Sequence, residues 1–458
     1  MNAFESFLAA FSGFMWGTPL IILLLGGGLF FMIYSGFTPF RYMKHGVKIL
    51  MGRYDDPDDP GDINHFQALM SALAATVGMG NISGVAIAIV LGGPGALFWM
   101  WASAFVGMAT KFFTCTLSIL YRGKDTKGDI QGGPMYVIRE GLGKRWKPLA
   151  MIFAVAGLFG PLPIFQANQL VQTVRDVVLR PAGIVGENSF NADLIMGVIL
   201  VGIVSLVIFG GIKRIGSVAA RLVPAMVVIY VLSVLTILAT NITQIPDLFV
   251  LIVSDAFTGD AVLGGSVGAI ILIGVQRAAF SNEAGIGTAS LAHGAAKTKE
   301  PVREGLVAMM GPAIDTLIVC TMTGLAILST GVWQTTESNG VTVTAQAFDA
   351  ALPSFGVYLL VISIAIFALS SLFTYSYYGT KCLGYLIGAE RQHYYNYLYV
   401  VSIIFGAVAS IDAVVNLIDG MYAIMAFPTM ISALILAPRV KALAKDYFAR
   451  MENHKLGL

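Results

Sequence analysis

Two long apolar stretches of this chain are broken near their middles, about half a chain apart, by glycines and amides. The first reads Ala74-Ala75-Thr76-Val77-Gly78-Met79-Gly80-Asn81-Ile82-Ser83-Gly84. The second reads Gln276-Arg277-Ala278-Ala279-Phe280-Ser281-Asn282-Glu283-Ala284-Gly285-Ile286-Gly287. A helix in lipid must satisfy its own backbone polar groups. An interruption at that depth is tolerated only where the loose backbone lines a cavity or is buried in protein. A matched pair, one in each half, is the sequence sign of a central site in a secondary transporter.

Composition places these stretches in a bilayer. Charged residues are 12% and hydrophobic residues 57% of the chain, against roughly 25% charged in a soluble domain. The mean hydropathy is +0.78. The formal net charge of +2 offers no basic face for nucleic acid. Cys115, Cys320 and Cys382 lie in apolar segments and read as small buried hydrophobes, not as a disulfide or metal set. Residues 1–35 lack a basic n-region and a small-residue cleavage site, so they read as a span and not as a removable signal.

A span needs about 20 apolar residues, which yields about eleven spans. They fall near 15–38, 67–92, 95–121, 148–178, 193–211, 221–241, 262–295, 304–331, 355–388, 395–411 and 413–437. Basic clusters follow the first (Arg41, Lys44, Lys48, Arg53), third (Arg122, Lys124, Lys127), fifth (Lys213, Arg214), seventh (Lys297, Lys299, Arg303) and last (Arg439, Lys441) spans. All of these lie on one side if the spans alternate. The positive-inside rule then puts the N-terminus outside and the C-terminus in the cytoplasm. The expected class is an all-α polytopic protein of the cell membrane. Residues 1–458 form one transporter domain: an extra helix and loop in 1–60, five-helix units of opposite orientation in 61–245 and 246–440, and a tail in 441–458. Each unit opens on a broken helix, as an inverted repeat requires.

At the first break, Gly78, Gly80 and Gly84 let the backbone leave helical geometry at low steric cost. Freed N–H groups at a half-helix N-terminus suit an anion and freed carbonyls a bare cation. Asn81 adds an amide with a donor and an acceptor. Helix–helix contact between small residues is the competing explanation of Gly-x-Gly.

Here the sequence resembles a known family. Gly78-Met79-Gly80-Asn81-Ile82 is similar to the first unwound segment of the sodium:alanine (or glycine) symporters. Gly92-Gly93-Pro94-Gly95-Ala96-Leu97-Phe98-Trp99-Met100-Trp101, Gln131-Gly132-Gly133-Pro134-Met135-Tyr136 and Ser281-Asn282-Glu283-Ala284-Gly285-Ile286-Gly287 resemble that family's motifs in order and spacing. The resemblance implies a leucine-transporter fold and cation-coupled uptake of a small neutral amino acid. L-alanine and glycine are the expected substrates, with D-alanine a further candidate. It implies no enzyme activity and no cofactor beyond sodium as the coupling ion. Trp99 and Trp101 read as packing residues.

At the second break Gln276, Phe280, Ser281 and Asn282 are candidate substrate contacts, with Phe280 an apolar gate or a packing ring. Glu283 needs a partner or a wet cavity at this depth. It either compensates the substrate ammonium or sodium, or acts structurally by pairing with Arg277 or Lys111 or by capping the resumed half-helix. Coupling to protons through Glu283 is the rival mechanism. On the fourth span, Phe165, Asn168 and Gln169 are candidates to face the site, or to bond between helices. The substrate set is completed by Gly78, Met79, Gly80 and Asn81. On the ninth span Ser371 and Thr374 lie three apart on one helical face. In the fold that the resemblance implies, they join the carbonyls of Ala74, Ala75 and Gly78 in a sodium site; bonding back to their own helix is the alternative. Asp412 and Asp419 read as polar ends of the last span, and Asp315 has no assignment. No channel filter, nucleophile–base set or nucleotide loop stands out.

Overall fold

A computed structural model describes residues 3–186, 188–258, 267–353 and 355–456. Almost every element is helical. Among the described residues a single sheet pairs the short strands Gly123–Lys124 and Ile130–Gln131 antiparallel. Among the described residues, six helices are long and apolar enough to cross a membrane, or up to eight when each of two bent pairs counts as one span. The chain is therefore a multi-pass membrane protein. The remaining expected spans are built from shorter pieces. Lys147–Ala156 and Ile164–Thr173 flank the turn at Pro161 and Pro163. Val267–Asn282 and Tyr394–Val408 are single short helices. The start of the expected seventh span, 262–266, lies outside the described residues.

The first span differs from expectation. A helix Phe4–Met15 precedes Thr18–Tyr34 and meets it at 47°. Trp16 marks the corner, and its indole N–H donates to the Asp419 carbonyl at 3.0 Å. Two further helices, Ile245–Thr258 and Val341–Ala351, fill connections that show no span pattern. The family-like motif at Gly92–Trp101 seats the first of these. Gly95 N–H donates to Asp255 at 2.7 Å, and Trp99 donates to the Ala256 carbonyl at 3.1 Å. A Cβ on Gly95 would stand 2.4 Å from the Ala256 nitrogen, so only glycine allows this approach. Trp101 donates to Thr321 at 2.8 Å. Both tryptophans thus pack, as their position suggests.

Burial separates a core from a lipid-facing shell. Gly95–Leu120 is buried along most of its length. Phe190–Ile208 and Gly211–Thr240 present Val198, Leu206, Val228 and Leu232 outward. Apolar exposure of this kind needs no compensation in hydrocarbon. Cys115, Cys320 and Cys382 are free and buried.

The loops with the basic clusters meet at one end, called here the basic end. Arg122 donates to the carbonyls of Gly294 (2.9 Å), Pro60 (3.0 Å), Thr298 (3.2 Å) and Ala296. This ties the entry to the first broken span to the exit from the second. A parallel bridge between Ile63 and Ala296 adds to it. Glu304 takes His65 on one carboxylate oxygen and His293 on the other. The motif at Gln131–Tyr136 closes against the short helix Thr288–His293. Gly133 N–H donates to Ser118 at 2.8 Å, and Ser118 donates to the Ser290 carbonyl at 2.7 Å. Gly133 has φ +118 and no room for a Cβ, which would sit 2.4 Å from Leu291.

Candidate transport site

The helix His65–Thr76 starts in a capping box, with Asn64 accepting from the Gln67 N–H. Its last helical bond runs from Val77 N–H to the Leu73 carbonyl, 2.7 Å. The next donor, Gly78 N–H, would continue the ladder to the Ala74 carbonyl. It donates instead to the side-chain oxygen of Asn81 at 2.9 Å. The chain resumes at Gly80 and runs to Gly92, bent by 52°. Asn81 therefore creates the break by competing with a backbone carbonyl.

The other end of the Asn81 amide is also engaged. Its Nδ2 donates to the Asp315 carboxylate (2.9 Å) and to the Asp315 carbonyl (3.1 Å). Ser281 donates to the same carboxylate at 2.5 Å and Thr316 at 2.8 Å. Asn282 donates to Thr316 at 2.9 Å. Asp315, unassigned by sequence reasoning, is the group that joins both breaks. All of these side chains are fully buried. A carboxylate at this depth needs donors, and both broken spans supply them. An isolated Asp in an apolar run is the signal that points to such a hub.

At the second break, Val267–Asn282 stops and the chain turns through Glu283 (φ 54), Gly285 (φ 88) and Gly287 (φ 104) before Thr288–His293. A left-handed glutamate is uncommon and marks a held conformation. One carboxylate oxygen of Glu283 accepts from Tyr375 at 2.9 Å and Tyr422 at 3.0 Å, and the other from Thr288. Thr288 opens the resumed half-helix, and Glu283 meets it through the threonine hydroxyl. It does not pair with Arg277. That residue bonds Asp419, which also accepts from Gln276 at 2.8 Å. Asp419 is 1% exposed and lies well inside the helix Ile411–Leu456, so it is a buried partner and not a polar span end. The pair lines a cavity of about 200 Å³, together with Ile87, Leu91, Ile273 and Asn339.

Phe165 and Phe280 meet edge to face between the breaks, ring centroids 4.9 Å apart. A Cβ on Gly80 would lie 3.2 Å from the Phe280 ring and 3.3 Å from the Ser281 Cα. Gly80 thus lets the unwound backbone touch the second broken span. Met79 is buried beside it. Asn168 and Gln169 have other partners. Asn168 donates to the carbonyls of Gly406 (3.0 Å) and Ala409 (2.8 Å), closing the end of Tyr394–Val408. Gln169 accepts from Ser83 at 2.6 Å and from Val341 N–H at 3.2 Å. These are the interhelical bonds that rival substrate contact. The neighbouring Gln166 keeps a buried side-chain oxygen without a hydrogen-bond partner.

Three of the expected sodium ligands, Ala75, Gly78 and Ser371, meet where the first broken span packs on the helix Gly356–Ile387. Ser371 Oγ lies 3.2 Å from the Ala75 carbonyl and 3.3 Å from the Phe367 carbonyl of its own helix, so it has both the cross-span acceptor and the own-helix acceptor of the alternative. A Cβ on Gly78 would lie 2.4 Å from that hydroxyl, so Gly78 and Ser371 touch. The Thr374 hydroxyl donates to the Ser370 carbonyl at 3.1 Å, the own-helix bond that is the alternative to a ligand role; its oxygen lone pairs can still accept. Among the described residues no cluster of His, Cys, Asp and Glu could hold a metal. The oxygens here are neutral carbonyls and hydroxyls, a donor set suited to a hard monovalent cation.

Two discontinuous helices thus converge on buried polar groups within a helical bundle, the arrangement expected of a leucine-transporter-like carrier. The crystal structure of MhsT in complex with L-phenylalanine superposes with a TM-score of 0.58 at 12% identity, covering 84% of this chain and 98% of that one. This likeness shows the fold. The family model described as "Sodium:alanine symporter family" matches residues 1–457, and the chain belongs to that family. The sodium/alanine symporter AgcS of Methanococcus maripaludis is 42% identical over 451 residues, with 97% of each chain covered. The probable sodium/glutamine symporter GlnT of Bacillus subtilis is 35% identical, over 94% of this chain and 88% of that one.

Proposed function

We propose that this protein is a sodium-coupled symporter that imports alanine and glycine by alternating access. The Ser371–Ala75 contact carries the proposal. It joins the unwound first span to the ninth through neutral oxygens, so a cation bound there stabilises that junction and couples to the neighbouring break. The relative AgcS bears sodium and alanine in its name. The Phe165–Phe280 pair supports a small substrate, because the rings leave little depth beside Gly80.

The amino acid lies against the backbone of Gly78, Met79 and Gly80, with its side chain toward Phe165 and Phe280. Ser281 and Asn282 hold the second break in register through Asp315 and Thr316. D-alanine is a further candidate substrate. The protein lies in the cell membrane with about eleven spans, its N-terminus outside and the basic end in the cytoplasm. Residues 61–245 and 246–440 form the inverted repeat. In the cycle, the Arg277–Asp419 pair parts toward the outside, and the Arg122 and Glu304 clusters part toward the cytoplasm. In proteoliposomes, alanine uptake collapses when sodium is replaced by choline at constant pH. Undiminished uptake driven by a pH gradient alone would establish proton coupling instead.

A further inference from the structure

The basic end holds a cavity that the transport cycle does not use. The helix Met43–Leu50 follows the first membrane crossing, and the C-terminal helix runs past it to Leu456. Between them lies a cavity of about 530 Å³ walled by Arg41, Lys44, Lys48, Arg303 and Arg450. Arg450 is matched by Glu300 at 2.8 Å and Asp446 at 2.9 Å. Arg41, Lys44, Lys48 and Arg303 form no ion pair among the described residues. Glu452 is the one carboxylate on the cavity wall. The floor is aromatic and ordered: Arg303 stacks over Tyr54 at 4.9 Å, and His45 bonds the Tyr447 hydroxyl at 2.8 Å. Arg303 also buries its Nε without a hydrogen-bond partner. Convergent cations and an unsatisfied guanidinium N–H call for an anion with several acceptor oxygens.

A second cavity, about 390 Å³, shares Arg41, Tyr42 and Glu452 with the first. Its wall carries two more cations, Lys441 and Lys445, and beside them Ala444, Phe448 and Ala449, with the rings of Phe112 and Phe113 buried behind. Phe448 stacks on Tyr42 with centroids 3.6 Å apart. A small soluble anion would fill only part of the two joined cavities. An amphiphile fills both.

We propose that this composite cleft binds one anionic phospholipid, its phosphate among Arg41, Lys44, Lys48 and Arg303 and an acyl chain along Ala444, Phe448 and Ala449. Basic pockets between membrane helices hold such headgroups. A lipid seated there would clamp the first span's exit to the C-terminal helix.

Native mass spectrometry of the purified full-length protein tests this with phosphatidylglycerol and phosphatidylcholine as probes. The expected result is preferential retention of phosphatidylglycerol. Lys44→Ala/Lys48→Ala should weaken it on the order of tenfold without changing phosphatidylcholine adducts. Ala449→Trp, at an exposed residue lining the second cavity, should weaken phosphatidylglycerol retention while leaving any effect of inorganic phosphate on melting intact. Equal retention of the two lipids by the unmodified protein would overturn the proposal. Displacement of the lipid by millimolar inorganic phosphate, with Ala449→Trp silent, would identify a free-phosphate site and overturn it as well.

Discussion

Gly78 and Ser371 test the cation site through a steric argument. The Cβ of Gly78→Ala would sit 2.4 Å from Ser371 Oγ, about 1 Å inside ordinary contact. The hydroxyl must rotate away and lose the Ala75 carbonyl. A neutral hydrogen bond of this kind contributes about 0.5–1.5 kcal/mol. If the same oxygen binds sodium, its loss raises the half-saturating sodium concentration roughly two- to twelvefold. Ser371→Ala should do the same. The double variant separates packing from binding. In Gly78→Ala/Ser371→Ala the new methyl faces the residue 371 Cβ at 3.5 Å, ordinary contact. Thermal stability should therefore return toward that of the parent, while sodium dependence stays impaired. The assays are alanine uptake against external sodium in proteoliposomes and melting of the purified protein. Unchanged sodium dependence in both single variants, or its recovery in the double variant, would refute the reasoning.

Gly80→Val should abolish alanine binding in an inserted protein, since its Cβ would meet the Phe280 ring at 3.2 Å and the Ser281 backbone at 3.3 Å; overpacking of this kind costs about 1–3 kcal/mol, and equilibrium binding of labelled alanine checks it. Phe165→Ala removes one half of the aromatic pair, so valine and leucine should begin to compete with labelled alanine. Glycine should bind the parent more weakly than alanine, by about 1–3 kcal/mol for one missing methyl. Asp315→Ala would take the carboxylate from the Ser281 and Thr316 donors and leave Asn81 only the backbone carbonyl of residue 315; at about 1–3 kcal/mol for each stranded buried group, the melting temperature should drop sharply and transport should vanish. Asp315→Glu retaining parental stability would contradict such a tightly fitted hub.

Both breaks were legible because helix-interrupting residues at membrane depth have few explanations. Glycine spacing and the pairing of the interruptions belong to local backbone chemistry, which the chain carries wherever it folds. The basic clusters were legible for a similar reason, since a charge avoids hydrocarbon whatever its neighbours. The side-chain assignments were less so. Asn81 reads as a free amide in sequence, but its oxygen holds Gly78 and its nitrogen holds Asp315, 234 positions away. Asn168, Gln169 and Gln276 likewise spend their amides on other helices. Asp419 resembled a span end because charge near an interface is unremarkable, and only Arg277 from another span makes it a buried pair.

The sequence by itself determined a multi-pass helical protein, two unwound segments, the family and the residue types that surround the site. These follow from solvation and backbone conformation, which act over a few neighbouring residues. Only the tertiary structure decided that Asp315 joins the two breaks, that Glu283 answers to Tyr375 and Tyr422, and that Arg277 faces Asp419. A hydrogen bond acts over about 3 Å. Which donor reaches which acceptor is therefore settled by how the helices pack.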